Sequence, residues 1–270
     1  MRSILILVAA LAGLMAPVRA ESPLQSLVTG NDSKGWEAVG RLNIGGTGFC
    51  TGALIAPDLV LTAAHCLYSK DTMQRIDPTT IEFLADLRNG RASSYRGVKR
   101  AVIHPEYLYD SSDNGTRVRN DVALLQLVQP IRNQSIRPYK IHASAKVGDA
   151  VGVVSYAKDR AEAPSLQKVC HVLSEEAGTL VMSCDVDFGS SGAPVFMFEN
   201  GEPQIVSVVS AKALLDNQSV SLGISLAAPL QVLMAEMSLT ESPFHKVEPA
   251  ARRLTTQGRI SPNGAKFLRP

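Results

Sequence analysis

The strongest constraint on how this chain can fold is a succession of about a dozen short apolar runs, most of them separated by Gly, Pro, Asn or Asp. In the first half they are "AVGRLNI" (38–44), "TGALIAP" (51–57), "LVLTAA" (59–64), "IEFLADL" (81–87), "VKRAVIH" (98–104) and "DVALLQLV" (121–128). The second half continues with "AVGVVSYA" (150–157), "LQKVCHVL" (166–173), "TLVMSCDV" (179–186), "APVFMFEN" (193–200), "IVSVVSA" (205–211) and "SLGISLAA" (221–228). Partly alternating runs at such spacing predict an all-β sandwich or barrel. A parallel α/β fold needs helical patterns of about 10–15 residues between its strands, and these are missing. Helical spacing occurs late, in "APLQVLMAEM" (228–237), where Pro229 stands at a helix start and Leu230, Leu233, Met234 and Met237 recur on one face.

The two ends of the chain read differently. Arg2 precedes an apolar run from Ile4 to Ala16, and Val18-Arg19-Ala20 ends in the small-residue pattern of a cleavage site. That is the layout of a secretory signal peptide over residues 1–20. The alternative is an uncleaved anchor, for which the run is short against the roughly 20 residues a membrane span needs. No later segment is apolar enough to cross a membrane. The expected protein is therefore secreted or periplasmic, with no membrane association after signal removal. Residues 21–35 read as a leader or N-terminal extension. Residues 238–270 lack apolar periodicity, carry six basic and two acidic residues, and read as a basic, disordered tail. Without the signal the chain has 25 basic and 25 acidic residues, a balance that does not suggest a nucleic-acid partner.

The chain has four cysteines, Cys50, Cys66, Cys170 and Cys184, and an even count in an exported chain reads as two disulfides. Four cysteines allow three pairings; the local one, Cys50 with Cys66 and Cys170 with Cys184, is the natural expectation. A zinc site is the competing reading, but neither pair has the usual CxxC spacing.

Three stretches carry candidate chemistry: "LTAAHC" (61–66), "RNDVALLQL" (119–127) and "CDVDFGSSGAPVF" (184–196). A serine hydroxyl such as that of Ser191 is a poor nucleophile until a base takes its proton. A histidine is the side chain whose ordinary titration range suits that base, and His65 is the candidate. A buried carboxylate, here Asp121, can fix the imidazole tautomer and stabilise the imidazolium. The glycines around Ser191 suit a tight turn that exposes the hydroxyl and aims backbone N–H groups at one point. His104 and His171 are the rival bases. The GxSxG pattern of other serine hydrolases is not met, because Ala193 follows Gly192.

In the order His, Asp, Ser, these blocks resemble the signature segments of the trypsin/chymotrypsin superfamily of serine peptidases. "FCTGALIAPDLVLTAAHC" and "VIHPEY" (102–107) are similar to the family's segments before its histidine and its aspartate, and Cys50 and Cys66 stand like one of its disulfides. The resemblance implies a structural place for His104. It covers residues 36–237 and implies a chymotrypsin-like domain of two packed six-stranded antiparallel β-barrels. The first spans about 36–130 and the second about 145–228, with a C-terminal helix over 229–237. His65 and Asp121 would come from the first barrel and Ser191 from the second. The implied activity is a serine endopeptidase acting on polypeptide substrates through an acyl-enzyme, with no cofactor or metal. Gly189 and Ser191 would supply the oxyanion-binding N–H groups, and Ser210, Ala211 and Lys212, on the strand that holds extended substrate, would line the pocket entrance, where Lys212 would narrow the pocket or attract acidic groups. Asp185, six residues before Ser191, stands where trypsin-like members place a pocket carboxylate, which implies a preference for Lys or Arg on the acyl side of the cut bond. A non-catalytic binding protein of the same fold and an esterase using the same three residues are the alternatives.

The chain also departs from the pancreatic pattern. Ser190 replaces the aspartate that pairs with a newly freed N-terminus, and the "IVGG" start is absent. The style is closer to compact bacterial members related to glutamyl endopeptidases, with a site formed without ion-pair activation. Val209 stands where glutamate-specific relatives carry a histidine, so glutamate preference is not expected from the resemblance.

Overall fold

A computed structural model describes residues 21–46 and 48–239. The signal segment and the tail from residue 240 lie outside the described residues, while Ser238 and Leu239 extend the last helix. The strands run β1 (Leu24–Ser26), β2 (Val39–Ile44), β3 (Gly48–Ala56), β4 (Leu59–Thr62), β5 (Ile81–Ala85), β6 (Ser94–Ile103) and β7 (Ala123–Leu127). They continue with β8 (Lys140–Ile141), β9 (Ala150–Ala157), β10 (Arg160–Glu176), β11 (Thr179–Met182), β12 (Pro194–Glu199), β13 (Glu202–Leu215) and β14 (Gln218–Ile224). Two helices join them, α1 (Asn114–Arg119) and α2 (Ala227–Leu239).

Strands β2-β3-β4-β7-β6-β5 close into an antiparallel barrel. Its interior face carries Leu42, Leu54, Val60, Phe83 and Leu125, all essentially inaccessible to water. The second sheet runs β1-β10-β11-β14-β13-β12-β9, and β10 also pairs with β9, so the six strands β9 to β14 return on themselves. Its core is rich in β-branched residues, including Val153, Val172, Val195 and Val206, which suit a pleated, buried surface. Closure removes the edges that an open sheet would expose.

Local sequence sets several of the connections. Asn89-Gly90, Ala177-Gly178, Asn200-Gly201 and Asp216-Asn217 each have both residues at positive φ, and each sits between directly paired residues. That is the two-residue hairpin turn whose twist matches the strands it joins. Elements absent from the sequence reading are the two shortest strands and the shorter of the two α-helices. β8 has two residues, α1 has six, and β1 has three. The stretch read as a leader runs along β10, pairing Leu24 with Gln167, and buries Leu27 in the core. The helix expected over 229–237 spans Ala227–Leu239.

Both disulfides follow the local pairing, Cys50–Cys66 and Cys170–Cys184. The first ties β3 to the turn after β4, and the second ties β10 to the segment leading to Ser191.

The two barrels meet at buried polar contacts as well as apolar ones. Tyr156 of β9 is fully buried, and its hydroxyl donates to the Leu87 carbonyl of the first barrel at 3.0 Å. Burial, with the nearby Asp86 carboxylate second, pushes the phenol's pKa up, so the hydroxyl stays a donor. Tyr156→Phe leaves that carbonyl without its partner. The expected cost is about 1–2 kcal/mol in chemical denaturation, with an unchanged denaturant slope.

Candidate active site

β4 ends at Thr62, and the chain turns into one 3₁₀ turn, Ala64–Leu67, that carries His65. The expected strand through Ala64 therefore stops two residues early, which swings the imidazole out of the barrel wall. Asp121 follows α1, two residues before β7 begins. Its side chain is 3% exposed, yet it is well supplied with donors. Oδ1 accepts from the His65 backbone N–H at 2.8 Å, while Oδ2 lies 2.6 Å from His65 Nδ1. The Ser210 hydroxyl, from β13 of the second barrel, donates to Oδ2 at 2.5 Å. An ionised carboxylate only accepts, so Nδ1 carries the imidazole proton and Nε2 keeps its lone pair.

Ser191 sits in the turn before β12. That turn is tied to the first barrel through Thr51 of β3. The Thr51 N–H donates to the Ser191 carbonyl at 2.8 Å, and its hydroxyl donates to the Gly189 carbonyl at 2.9 Å. The same hydroxyl accepts from the Tyr156 N–H at 3.1 Å, and the Thr51 carbonyl accepts from the Thr62 hydroxyl at 2.9 Å. Gly189 and Gly192 both have positive φ. A Cβ on Gly192 would fall on Thr62 Oγ1 and the Thr51 carbonyl, and one on Gly189 would fall on the Phe49 ring. Only glycine fits either place.

The peptide between Phe188 and Gly189 is oriented by its carbonyl, which accepts from Lys158 N–H at 2.7 Å. In a trans peptide the Gly189 N–H then points the opposite way. Among the described residues neither the Gly189 N–H nor the Ser191 N–H donates to a protein backbone acceptor. Ser190, fully buried, lies 3.2 Å from both Ser155 Oγ and the Tyr156 carbonyl, and accepts from Asp187 N–H at 3.3 Å. These uncharged contacts hold the turn.

His65 and Ser191 line one cleft of about 200 Å³, together with Gly189, Phe49, Phe188, Tyr68 and the Cys50–Cys66 disulfide. Among the described residues no hydrogen bond joins the Ser191 hydroxyl to the imidazole; such contacts commonly tighten only when substrate arrives. Tyr107 is buried beside this group, and burial first, then the Asp121 charge, holds its phenol above the ordinary pKa. The rival histidines are elsewhere. His104 is buried, with its pKa lowered by burial, and its Nδ1 accepts from Glu106 N–H at 3.3 Å. The His171 backbone pairs with Ser183. Donor atoms of Cys50, His65 and Cys66 lie within 4.8 Å of one another, but the disulfide leaves no thiolate to bind a metal.

The substrate-contact expectations divide. Ser210 is buried and committed to Asp121, whereas Lys212 is exposed and its Nζ lies 3.8 Å from Asp187. Asp185 is also exposed and does not line the cleft; its N–H donates to Gln167 Oε1 at 2.7 Å. Sequence reasoning missed Thr51, Phe49 and Phe188. Thr51 and Phe49 sit in "FCTGALIAP" and Phe188 in "DFGSSG", but only the pairing of the barrels gives them their neighbours.

A family model described as Trypsin matches residues 28–231. A glutamyl endopeptidase of Bacillus licheniformis is 29% identical over 150 residues, which cover 55% of this chain and 45% of that protein. A trypsin of Phaedon cochleariae is 39% identical over 97 residues, covering 34% of this chain and 33% of that one. The chain thus spans less than half the length of these two relatives. A solved structure described as a Glu endopeptidase in complex with MPD superposes with a TM-score of 0.64 at 16% identity, covering 80% of this chain and 97% of that one, a likeness of fold.

Thr51→Val keeps the shape of the side chain but leaves the Gly189 carbonyl and the Tyr156 N–H without their partner. Two stranded buried groups are expected to cost about 2–4 kcal/mol in chemical denaturation. Thr51→Ser, which retains the hydroxyl, should recover at least half of that loss.

Proposed function

The chain belongs to the trypsin family, and from that membership we propose that it is an exported serine endopeptidase working through His65, Asp121 and Ser191. In this reading His65 Nε2 takes the Ser191 proton as the hydroxyl attacks a peptide carbonyl. Asp121 keeps the ring in the right tautomer and stabilises the imidazolium. The Gly189 and Ser191 N–H groups bind the oxyanion, and His65 then protonates the departing amine. Water repeats the sequence on the acyl-enzyme and releases Ser191. The observation that carries the reading is the buried Asp121 carboxylate bonded to His65 Nδ1, with Nε2 left for the cleft that Ser191 shares. Export is supported by the signal-like residues 1–20 and by the two disulfides.

We further propose that the site forms without a freed N-terminus, since Ser190 offers no charge for an ammonium to pair with. Proteins whose N-terminus begins at different positions within residues 21–23 should then have similar kcat/KM. Activity confined to one defined N-terminus would reject this.

Two readings of acyl-side preference remain. A basic preference rests on Asp185, whose exposure weighs against it. An acidic preference is favoured by Lys212, whose ion pair with Asp187 is half exposed and easily exchanged for a substrate carboxylate. The names of the glutamyl relatives point the same way, although Val209 supplies no imidazole. Peptides varied only at the residue before the cut decide between them. Lys212→Ala should lower kcat/KM for a glutamate substrate about tenfold if the second reading holds, and Asp185→Asn should do so for an arginine substrate if the first holds.

A fluorophosphonate is expected to label the mature protein at Ser191, and Ser191→Ala should abolish labelling. The same change should lower kcat by a factor on the order of 10⁶. Labelling mapped to any other residue would defeat the assignment.

A further inference from the structure

We propose that opening the Cys50–Cys66 disulfide creates a zinc site from Cys50, Cys66 and His65, and that a zinc ion bound there holds the peptidase inactive. The metal site stands on geometry alone, and only its effect on hydrolysis rests on the peptidase reading above. Ligand atoms of the three residues lie within 4.8 Å of one another, and His65 Nε2 is 4.0 Å from Cys66 Sγ. Among the described residues no other three such side chains converge in this way. A tetrahedral zinc, with bonds of about 2.3 Å to sulfur and about 2.0–2.1 Å to nitrogen, sets its ligand atoms roughly 3.5–4 Å apart. The imidazole already stands at that spacing from one sulfur. Cutting the bond between the two sulfurs frees each to rotate about its own Cα–Cβ bond, Cys50 on β3 and Cys66 in the turn after β4.

The imidazole is also oriented for a metal. Asp121 Oδ2, 2.6 Å from Nδ1, fixes the tautomer whose Nε2 carries the lone pair, which is the carboxylate–histidine support that zinc-binding imidazoles commonly have. Cys50, Cys66 and His65 all line the cleft that contains Ser191, so a small dithiol and a hydrated ion have a route to them. The dithiol supplies two electrons: one of its thiolates attacks a protein sulfur, the second resolves the mixed disulfide, and the reductant leaves as its own cyclic disulfide. Cys50 and Cys66 are then thiols. Zinc displaces one proton from each to the solvent, takes Nε2 as its third ligand and keeps a water from the cleft as its fourth. Two thiolates and an imidazole suit zinc rather than magnesium or calcium. With its lone pair on the metal, His65 has nothing with which to take the Ser191 proton.

Titration with cobalt(II), which takes zinc-type sites and reports them by its colour, tests this before and after treatment with a dithiol that is removed under anaerobic conditions. The reduced protein is expected to bind one cobalt with a thiolate charge-transfer band and the strong visible absorption of tetrahedral geometry, and the oxidised protein none. Cys50→Ala/Cys66→Ala, treated identically, should show neither band. Reduced His65→Ala should bind cobalt at least about tenfold more weakly. Zinc should displace the cobalt, and one equivalent should lower peptide hydrolysis by the reduced protein at least about tenfold, with a chelator restoring it. A reduced protein that binds no cobalt, that loses its β-sheet circular dichroism, or whose bands persist in Cys50→Ala/Cys66→Ala would overturn the site. Hydrolysis that zinc leaves unchanged, or that reduction alone abolishes, would overturn the inhibitory role. The expected spectra with no hydrolysis by the oxidised protein would overturn the peptidase reading and leave the metal site standing.

Discussion

The candidate site depends on the buried hydrogen bonds of one residue, Thr51. Its hydroxyl and its N–H hold the carbonyls of Gly189 and Ser191, so a strand of the first barrel carries the turn of the second. Thr51 is completely buried, and in such surroundings an unpaired donor or acceptor costs more than the bond itself gains. The Ser191 turn therefore has little freedom to drift relative to the barrel that supplies His65 and Asp121. Proton transfer needs heavy atoms within about 3 Å. By holding the Ser191 turn to β3, Thr51 fixes the candidate serine relative to the barrel that carries His65 and Asp121.

Asp121 joins the halves a second time. The carboxylate belongs to the first barrel and accepts from His65, while Ser210 reaches it from the second. A charge taken so far out of water is tolerable only when its lone pairs are engaged, and three donors engage them here. The charge-bearing partner of the site is thus buried and fully bonded. The turn itself is held without charge, through Ser190, Ser155 and the Tyr156 carbonyl.

Much of this was legible in the chain. Twelve of the fourteen strands coincide with apolar runs, because a run of β-branched and aromatic residues bounded by turn formers has few other ways to bury itself. Asn89-Gly90 and Asn200-Gly201 specify their own turns. The strand β1 was not legible, because its three residues gain their partners only from β10, more than a hundred positions away. Exposure was not legible either: the position of Asp185 six residues before Ser191 suggested a pocket floor, and the folded segment leaves it exposed.

By itself the sequence determined the all-β class, the hairpin turns and the identity of the three candidate residues, since each of these is written in patterns a few residues long; the pairing of the four cysteines it left among three possibilities. Only the tertiary structure decided that Asp121 and Ser210 meet, that Thr51 carries the Ser191 turn, and that Phe188 and Phe49 line one cleft. Those are contacts between residues far apart along the chain and close only after two barrels pack. Local composition constrains backbone conformation, but it contains no distance between segments until the cores on both sides have formed.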